Sequence, residues 1–104
     1  MGKKDAIRSL IISISLVSYH KVLYDKGEKS EAKKYLEDEI RTYSTDGFEK
    51  AQEFKFSKSE LKEIELNAIK RTMNILKNKY PDIKFSEKEI KEKVIDTMQE
   101  FLIS

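Results

Sequence analysis

Few side chains in this sequence have a type and spacing suited to catalysis or metal binding. His20 is the single histidine, and no Glu-x-x-His or His-x-x-x-His spacing gives it a partner. Its sequence context predicts a position at the surface or boundary of a helix. With no cysteine and three scattered glycines, the chain has neither a thiolate nucleophile nor a glycine-rich phosphate loop. We therefore expect no catalytic residues, no metal and no cofactor, and a protein that is not an enzyme.

A second group of side chains has the chemistry to bind phosphate. The C-terminal half of the third predicted helix and the turn after it carry five candidate contacts to a nucleic-acid backbone: Lys70, Arg71, Lys77, Lys79 and Lys84. The same helix begins with acidic residues, and acid first with base last is the order that the helix dipole favours in any helix. Nucleic-acid binding is therefore the alternative hypothesis and not the first one.

The overall charge gives little support to a polyanionic partner. The chain has 21 Lys and Arg against 19 Asp and Glu, with the two signs interleaved and a net charge of +2. Only Arg8, Arg41 and Arg71 are arginines, whereas arginine is the residue preferred for bidentate contacts to phosphates and bases.

The amino-terminal segment contains the apolar residues with the strongest claim to a binding role. Residues 5–25 contain no turn signal, which favours a helix over the strand suggested by the alternation in residues 12–16. Apolar residues cover more than one stripe of this helix, as is typical of a helix packed on several sides. Either its own chain covers the helix or a second chain does. In the second case the candidate protein interface comprises Ile7, Ile11, Ile14 and Ser18.

The same segment does not predict targeting or a membrane span. Its uncharged stretch over residues 9–19 contains four serines and is shorter than the about 20 apolar residues that cross a bilayer. Asp5 lies in the basic region before it, and no small-x-small cleavage site follows. We expect a cytoplasmic protein that does not bind membranes.

The second predicted helix spans residues 30–43, with Ser30 as its N-cap and Gly27 as the C-cap of the helix before it. Residues 44–47 have the composition of a turn. The sequence after this turn predicts a short extra helix to residue 53, which would bury Phe48 and Ala51.

Two similar start signals, 29 residues apart, predict the third and fourth helices. In each, a serine (Ser57 or Ser86) is the N-cap, and a glutamate three residues later completes a capping box. The third helix ends at about residue 79, before Pro81. The similarity fades beyond the start signals, so we interpret it as independent use of one kind of helix start and not as a repeat.

Together these patterns predict a single all-α domain over residues 1–104. We expect a compact bundle of four main helices plus one short helix, with the apolar N-terminal helix at its centre. The first functional hypothesis is a non-catalytic protein-interaction module, such as an adaptor or a small subunit of a complex. It would bind another protein or self-associate as a homodimer through the first helix. The alternative is a helical nucleic-acid-associated protein that uses the basic face.

Overall fold

Four α-helices account for nearly all of the chain that the structure describes. The computed structural model describes residues 2–26 and 30–102, with the backbone alone for residues 30–33 and 102. These residues contain no strand, which confirms the all-α prediction, and the predicted Gly27 cap lies outside them. In chain order the helices are α1 (Lys3–Lys26), α2 (Ser30–Ala51), α3 (Lys58–Lys79) and α4 (Glu87–Leu102).

The position of α1 determines how the other helices are arranged. It packs against α2, α3 and α4, and α4 likewise contacts each of the other three. In the described part of the chain, α2 and α3 do not contact each other, so they lie on opposite sides of the α1–α4 pair. The radius of gyration of 13.5 Å is that of a compact chain of this length.

Small side chains let α1 approach its neighbours closely. Ser15 faces Ala68 of α3 and Ser18 faces Thr97 of α4, with oxygen–oxygen distances of 3.5 Å, and all four residues are fully buried. The Ser15 hydroxyl also lies 2.7 Å from the carbonyl of Ile11, to which it donates. No buried side-chain nitrogen or oxygen among the described residues lacks a hydrogen-bond partner. Ser15 and Ser18, which interrupt the apolar run, are therefore helix-contact positions.

The predicted starts of α3 and α4 are formed by bonds between near neighbours. The Ser57 hydroxyl accepts the Glu60 N–H at 3.2 Å, and the Glu60 carboxylate accepts the Ser57 N–H at 2.8 Å, which completes the capping box. At the second start, the Ser86 hydroxyl accepts the Glu89 N–H at 3.1 Å. The end of α3 at Lys79 also agrees with the prediction.

The predicted turn at residues 44–47 is wrong, and the structure does not confirm a separate short helix after it. Instead α2 continues without a break to Ala51. Asp46, a turn-type residue, forms an ion pair of 2.9 Å with Lys50 one helical turn later. Ala51 is buried as expected, but Phe48 is 45% exposed because the uninterrupted helix turns it away from the core.

Gly47 supplies the reason for this difference. A Cβ atom at this position would lie 2.5 Å from Cζ and 2.9 Å from Cδ2 of Phe101, a side chain that is only 1% exposed. Glycine therefore serves here for the close approach of α2 to α4 and not for a turn conformation. In a sequence, a glycine after an aspartate is a turn signal. That this glycine instead allows two helices to approach closely is evident only from the Phe101 ring packed against it.

Among the described residues, α1 is the one helix long and apolar enough to cross a membrane. It lies near the N-terminus, and 61% of its most apolar 18-residue stretch is buried inside the fold. Core helices of soluble proteins and signal sequences meet the same criteria of length and composition, so this is weak evidence for a membrane span.

We predict that Gly47→Ala destabilises the protein, although alanine in place of a helix-interior glycine ordinarily stabilises by about 0.5–1 kcal/mol. The added methyl group overlaps the buried Phe101 ring, and overpacking of this kind costs about 1–3 kcal/mol. Chemical denaturation of the wild type, the two single variants and Gly47→Ala/Phe101→Ala gives the coupling free energy. In the Phe101→Ala background the glycine substitution should become neutral or stabilising. A Gly47→Ala variant that is more stable than the wild type would contradict the close approach.

Candidate functional site

A shallow groove follows the seam between α1 and α3. The two helices run in the same direction there. Two contacts show this: Lys3 forms an ion pair of 2.8 Å with Glu60 near the start of both helices, and Ser15 meets Ala68 further along both. The groove has a volume of about 450 Å³. It is lined by Lys4, Ile7, Arg8, Ile11, Glu60, Glu63 and Asn67.

A second groove of about 260 Å³ adjoins the first and continues it along α3. Ile11 and Asn67 line both, so the two form one continuous surface, which we call the α1–α3 groove. The additional residues of the second part are Lys70, Arg71 and Asn74. The surface therefore combines candidate interface residues of α1 with candidate nucleic-acid contacts of α3. These two groups of residues are more than 50 positions apart in the sequence.

The four candidate interface residues of α1 fall into two pairs. Ile7 and Ile11 are partly buried, pack against the core and line the groove. Ile14 and Ser18 are fully buried, so no partner can contact them while the chain is folded. All four lie on one face of α1, but toward its C-terminus α4 covers that face, as the contact of Ser18 with Thr97 shows.

Most of the charged side chains that line the groove form no ion pair within the described part of the chain. Lys4, Arg8, Glu63, Lys70 and Arg71 form no ion pair with any described residue, and five of the six ion pairs lie in other places. The exception at the groove is Glu60. Its hydrogen bond to Lys3, and then the Ser57 N–H, lower the pKa of its carboxyl group.

The five candidate nucleic-acid contacts are all exposed, and none has an ion pair among the described residues. Lys70 and Arg71 line the groove, and Lys77 lies two turns beyond Lys70 on the same stripe of α3. Lys79 points to the opposite side of the helix, because nine residues rotate it about 180° from Lys70. Lys84 lies in the loop that joins α3 to α4. The structure thus places three of the five cations on one side of α3.

His20 is buried, which corrects the prediction of a surface or boundary position. Its side chain is 5% exposed, and its Nδ1 atom lies 2.5 Å from the carbonyl oxygen of Leu16. A carbonyl oxygen only accepts, so Nδ1 carries the proton in this arrangement. The ring lies between those of Tyr19 and Tyr43, at centroid distances of 4.1 and 5.5 Å. Tyr43 comes from α2, and sequence spacing carries no signal of that contact.

Three tyrosines around this histidine and its helix have raised pKa values, each for a local reason. Burial is the main cause for Tyr19 and raises its pKa to about 12, with Tyr80 and Tyr43 adding to the effect. A hydrogen bond to a carboxylate is the main cause for Tyr43, through Glu39, and for Tyr24, through Glu37. These hydroxyls are weaker acids than free tyrosine, so none is suited to proton abstraction near neutral pH.

The rest of the described surface has fewer features that could form a binding site. No group of three or more His, Asp or Glu side chains there could hold a metal ion. The exposed large apolar side chains among the described residues are Tyr35, Phe48 and Leu66. Tyr35 and Phe48 both lie on α2, and single exposed apolar residues of this kind are common on protein surfaces. Leu66 is the one of these three on α3, close to the stripe that borders the groove.

We predict that the stability of the protein falls as the pH rises from about 10 to 12, in part because of Tyr19. Its pKa in the folded chain, about 12, exceeds the ordinary tyrosine value of 10.0, so the stabilisation that is fully present below pH 10 is lost through this window. Urea denaturation at a series of pH values measures the free energy of unfolding for the wild type and Tyr19→Phe. The difference between them at pH 8 reports the loss of the hydroxyl alone. Above pH 10 the wild type should lose stability more steeply, and equal slopes would contradict the assignment.

Comparison with known proteins does not assign this chain to a family: no family model matches it, and no curated protein or solved structure matches it.

Proposed function

We propose that this chain is a non-catalytic protein-interaction module, a small helical adaptor or subunit, which binds its partner through the α1–α3 groove. The observation that carries the proposal is the combination of a partly buried apolar floor, Ile7 and Ile11, with rim charges that have no partner among the described residues. Interfaces between proteins have this composition, with an apolar centre and a polar rim.

The fold supports the proposal by holding the groove in a defined shape. In this proposal the helices form a bundle that holds α1 and α3 side by side. Ile64 and Ala68 of α3 and Ile14 of α1 are fully buried, so the core holds both helices that form the groove. A surface that is already ordered loses little conformational entropy on binding, which favours affinity.

Binding would cover the remaining exposed surface of Ile7 and Ile11, at a gain of about 25 cal/mol for each Å² of apolar area. Lys4, Arg8, Glu63, Lys70 and Arg71 would select the partner and orient it, because rim charges contribute more to specificity than to affinity. The proposal includes a cytoplasmic location and needs no membrane.

A photo-crosslinking amino acid at position 74 tests this function. Asn74 is exposed and lines the groove, so the variant should crosslink to a protein in extracts of the native cell. Lys91 is exposed on α4 and lines no part of the groove, which makes position 91 the matched control. Excess wild-type protein should suppress the crosslink, whereas excess Glu63→Lys/Arg71→Glu protein should not. Equal products from positions 74 and 91 would overturn the proposal.

Nucleic-acid binding is the second candidate function. The observation in its favour is that Lys70, Arg71 and Lys77 lie on one side of α3 without ion pairs to described residues. Glu63 on the same stripe opposes it, because a phosphate backbone would pass close to an uncompensated carboxylate.

For this second function we predict an affinity for duplex DNA, single-stranded DNA or RNA that falls steeply with salt, since each phosphate contact releases counterions. Lys70→Glu/Lys77→Glu should remove the binding in a fluorescence anisotropy titration at low salt. Lys88→Glu/Lys91→Glu changes the net charge equally on α4 and serves as the control. Absence of binding by the wild type at low salt would exclude the function.

A further inference from the structure

We propose that the partner at the α1–α3 groove is a second copy of this chain, with the two α3 helices antiparallel across a two-fold axis between Leu66 and Asn67. The inference rests on the proposed function, since it names the occupant of the same surface. It follows from the order of charges on α3, from the position of Leu66 and from the low net charge of the chain.

The charges on α3 form a self-complementary pattern. Glu63 and Lys70 are seven residues apart, which puts them on one face of the helix. They differ by about 20° in direction around the helix axis and by roughly 10.5 Å along it. Neither has an ion pair among the described residues, and both line the groove. A two-fold axis midway between them brings Glu63 of each copy opposite Lys70 of the other. Two identical ion pairs would form in this way.

Apolar side chains flank this pair of charges on both sides. Leu66 is 54% exposed and lies next to the midpoint, so the two-fold axis brings it close to Leu66 of the second copy. On the other side of the stripe, Ile7 and Ile11 form the floor of the groove. The burial of these side chains supplies the hydrophobic contribution, and the two ion pairs set the antiparallel direction.

A second copy fits the observations better than a polyanion or an acidic peptide. A polyanion would satisfy Lys70 but would be repelled by Glu63, and an acidic peptide would leave Glu63 without a partner. A second copy satisfies both residues at once. The net charge of +2 also means that two copies repel each other only weakly.

Sedimentation equilibrium of the purified full chain tests the inference by charge exchange. The wild type should dimerise reversibly, and Glu63→Lys or Lys70→Glu alone should raise the dimer Kd about ten-fold or more, because each replaces two attractions with two repulsions. An equimolar mixture of the two variants should recover the wild-type Kd, and so should the double variant Glu63→Lys/Lys70→Glu, since opposite charges again face each other. Glu92→Lys and Lys91→Glu change the net charge by the same amounts on α4 and should leave the Kd unchanged.

Three outcomes would overturn the inference. A wild type that stays monomeric at all concentrations excludes the second copy. Dimerisation that neither single variant weakens excludes this arrangement of α3. Single variants that weaken the dimer without recovery in the mixture exclude the reciprocal pairing of residues 63 and 70. The proposed function fails separately, since a crosslink from position 74 to a different protein would support it even if the purified chain is monomeric.

Discussion

The burial of α1 between three other helices is the constraint on which the rest of the structure depends. Each fully buried aliphatic side chain contributes on the order of 1.5–3 kcal/mol, and α1 supplies several of them. A protein interior is packed as densely as an organic crystal, so helices approach closely only where side chains are small. Ser15 and Ser18 of α1 meet this requirement at its contacts with α3 and α4, and Gly47 meets it where α2 approaches α4. These crossings set the spacing that the larger side chains fill.

The groove results from the same arrangement. Toward the C-terminus of α1, α4 covers the face that includes Ser18, whereas toward the N-terminus that face opens between α1 and α3. Ile7 and Ile11 therefore pack on the core from one side and remain accessible from the other. Exposed ion pairs add only about 0–1 kcal/mol to stability, so leaving Glu63 and Lys70 without partners costs the fold little. Under the proposed function these charges would direct association, a role that needs no catalytic residue.

The sequence by itself determined the features that arise from interactions within a few residues. The caps at Ser57 and Ser86 are bonds between residues three apart, and the stop before Pro81 is a steric effect on the neighbouring residue. The apolar pattern of α1 indicated a helix packed on several sides, because only such a position buries side chains around most of the circumference. The class of fold and the starts of α3 and α4 were accessible for this reason. Of the candidate site, the sequence identified Ile7, Ile11, Lys70 and Arg71 but not that they share one groove.

Only the tertiary structure decided the features that depend on residues far apart in the chain. Gly47 lies in the interior of α2, where Phe101 packs against it, although its local sequence has the composition of a turn. His20 is buried, and its ring packs 5.5 Å from that of Tyr43 on another helix. Ile14 follows the same periodicity as Ile11, yet only Ile11 reaches the groove. Periodicity defines which residues share a face of a helix, but what lies opposite that face is set by packing between helices, and no local pattern carries that information.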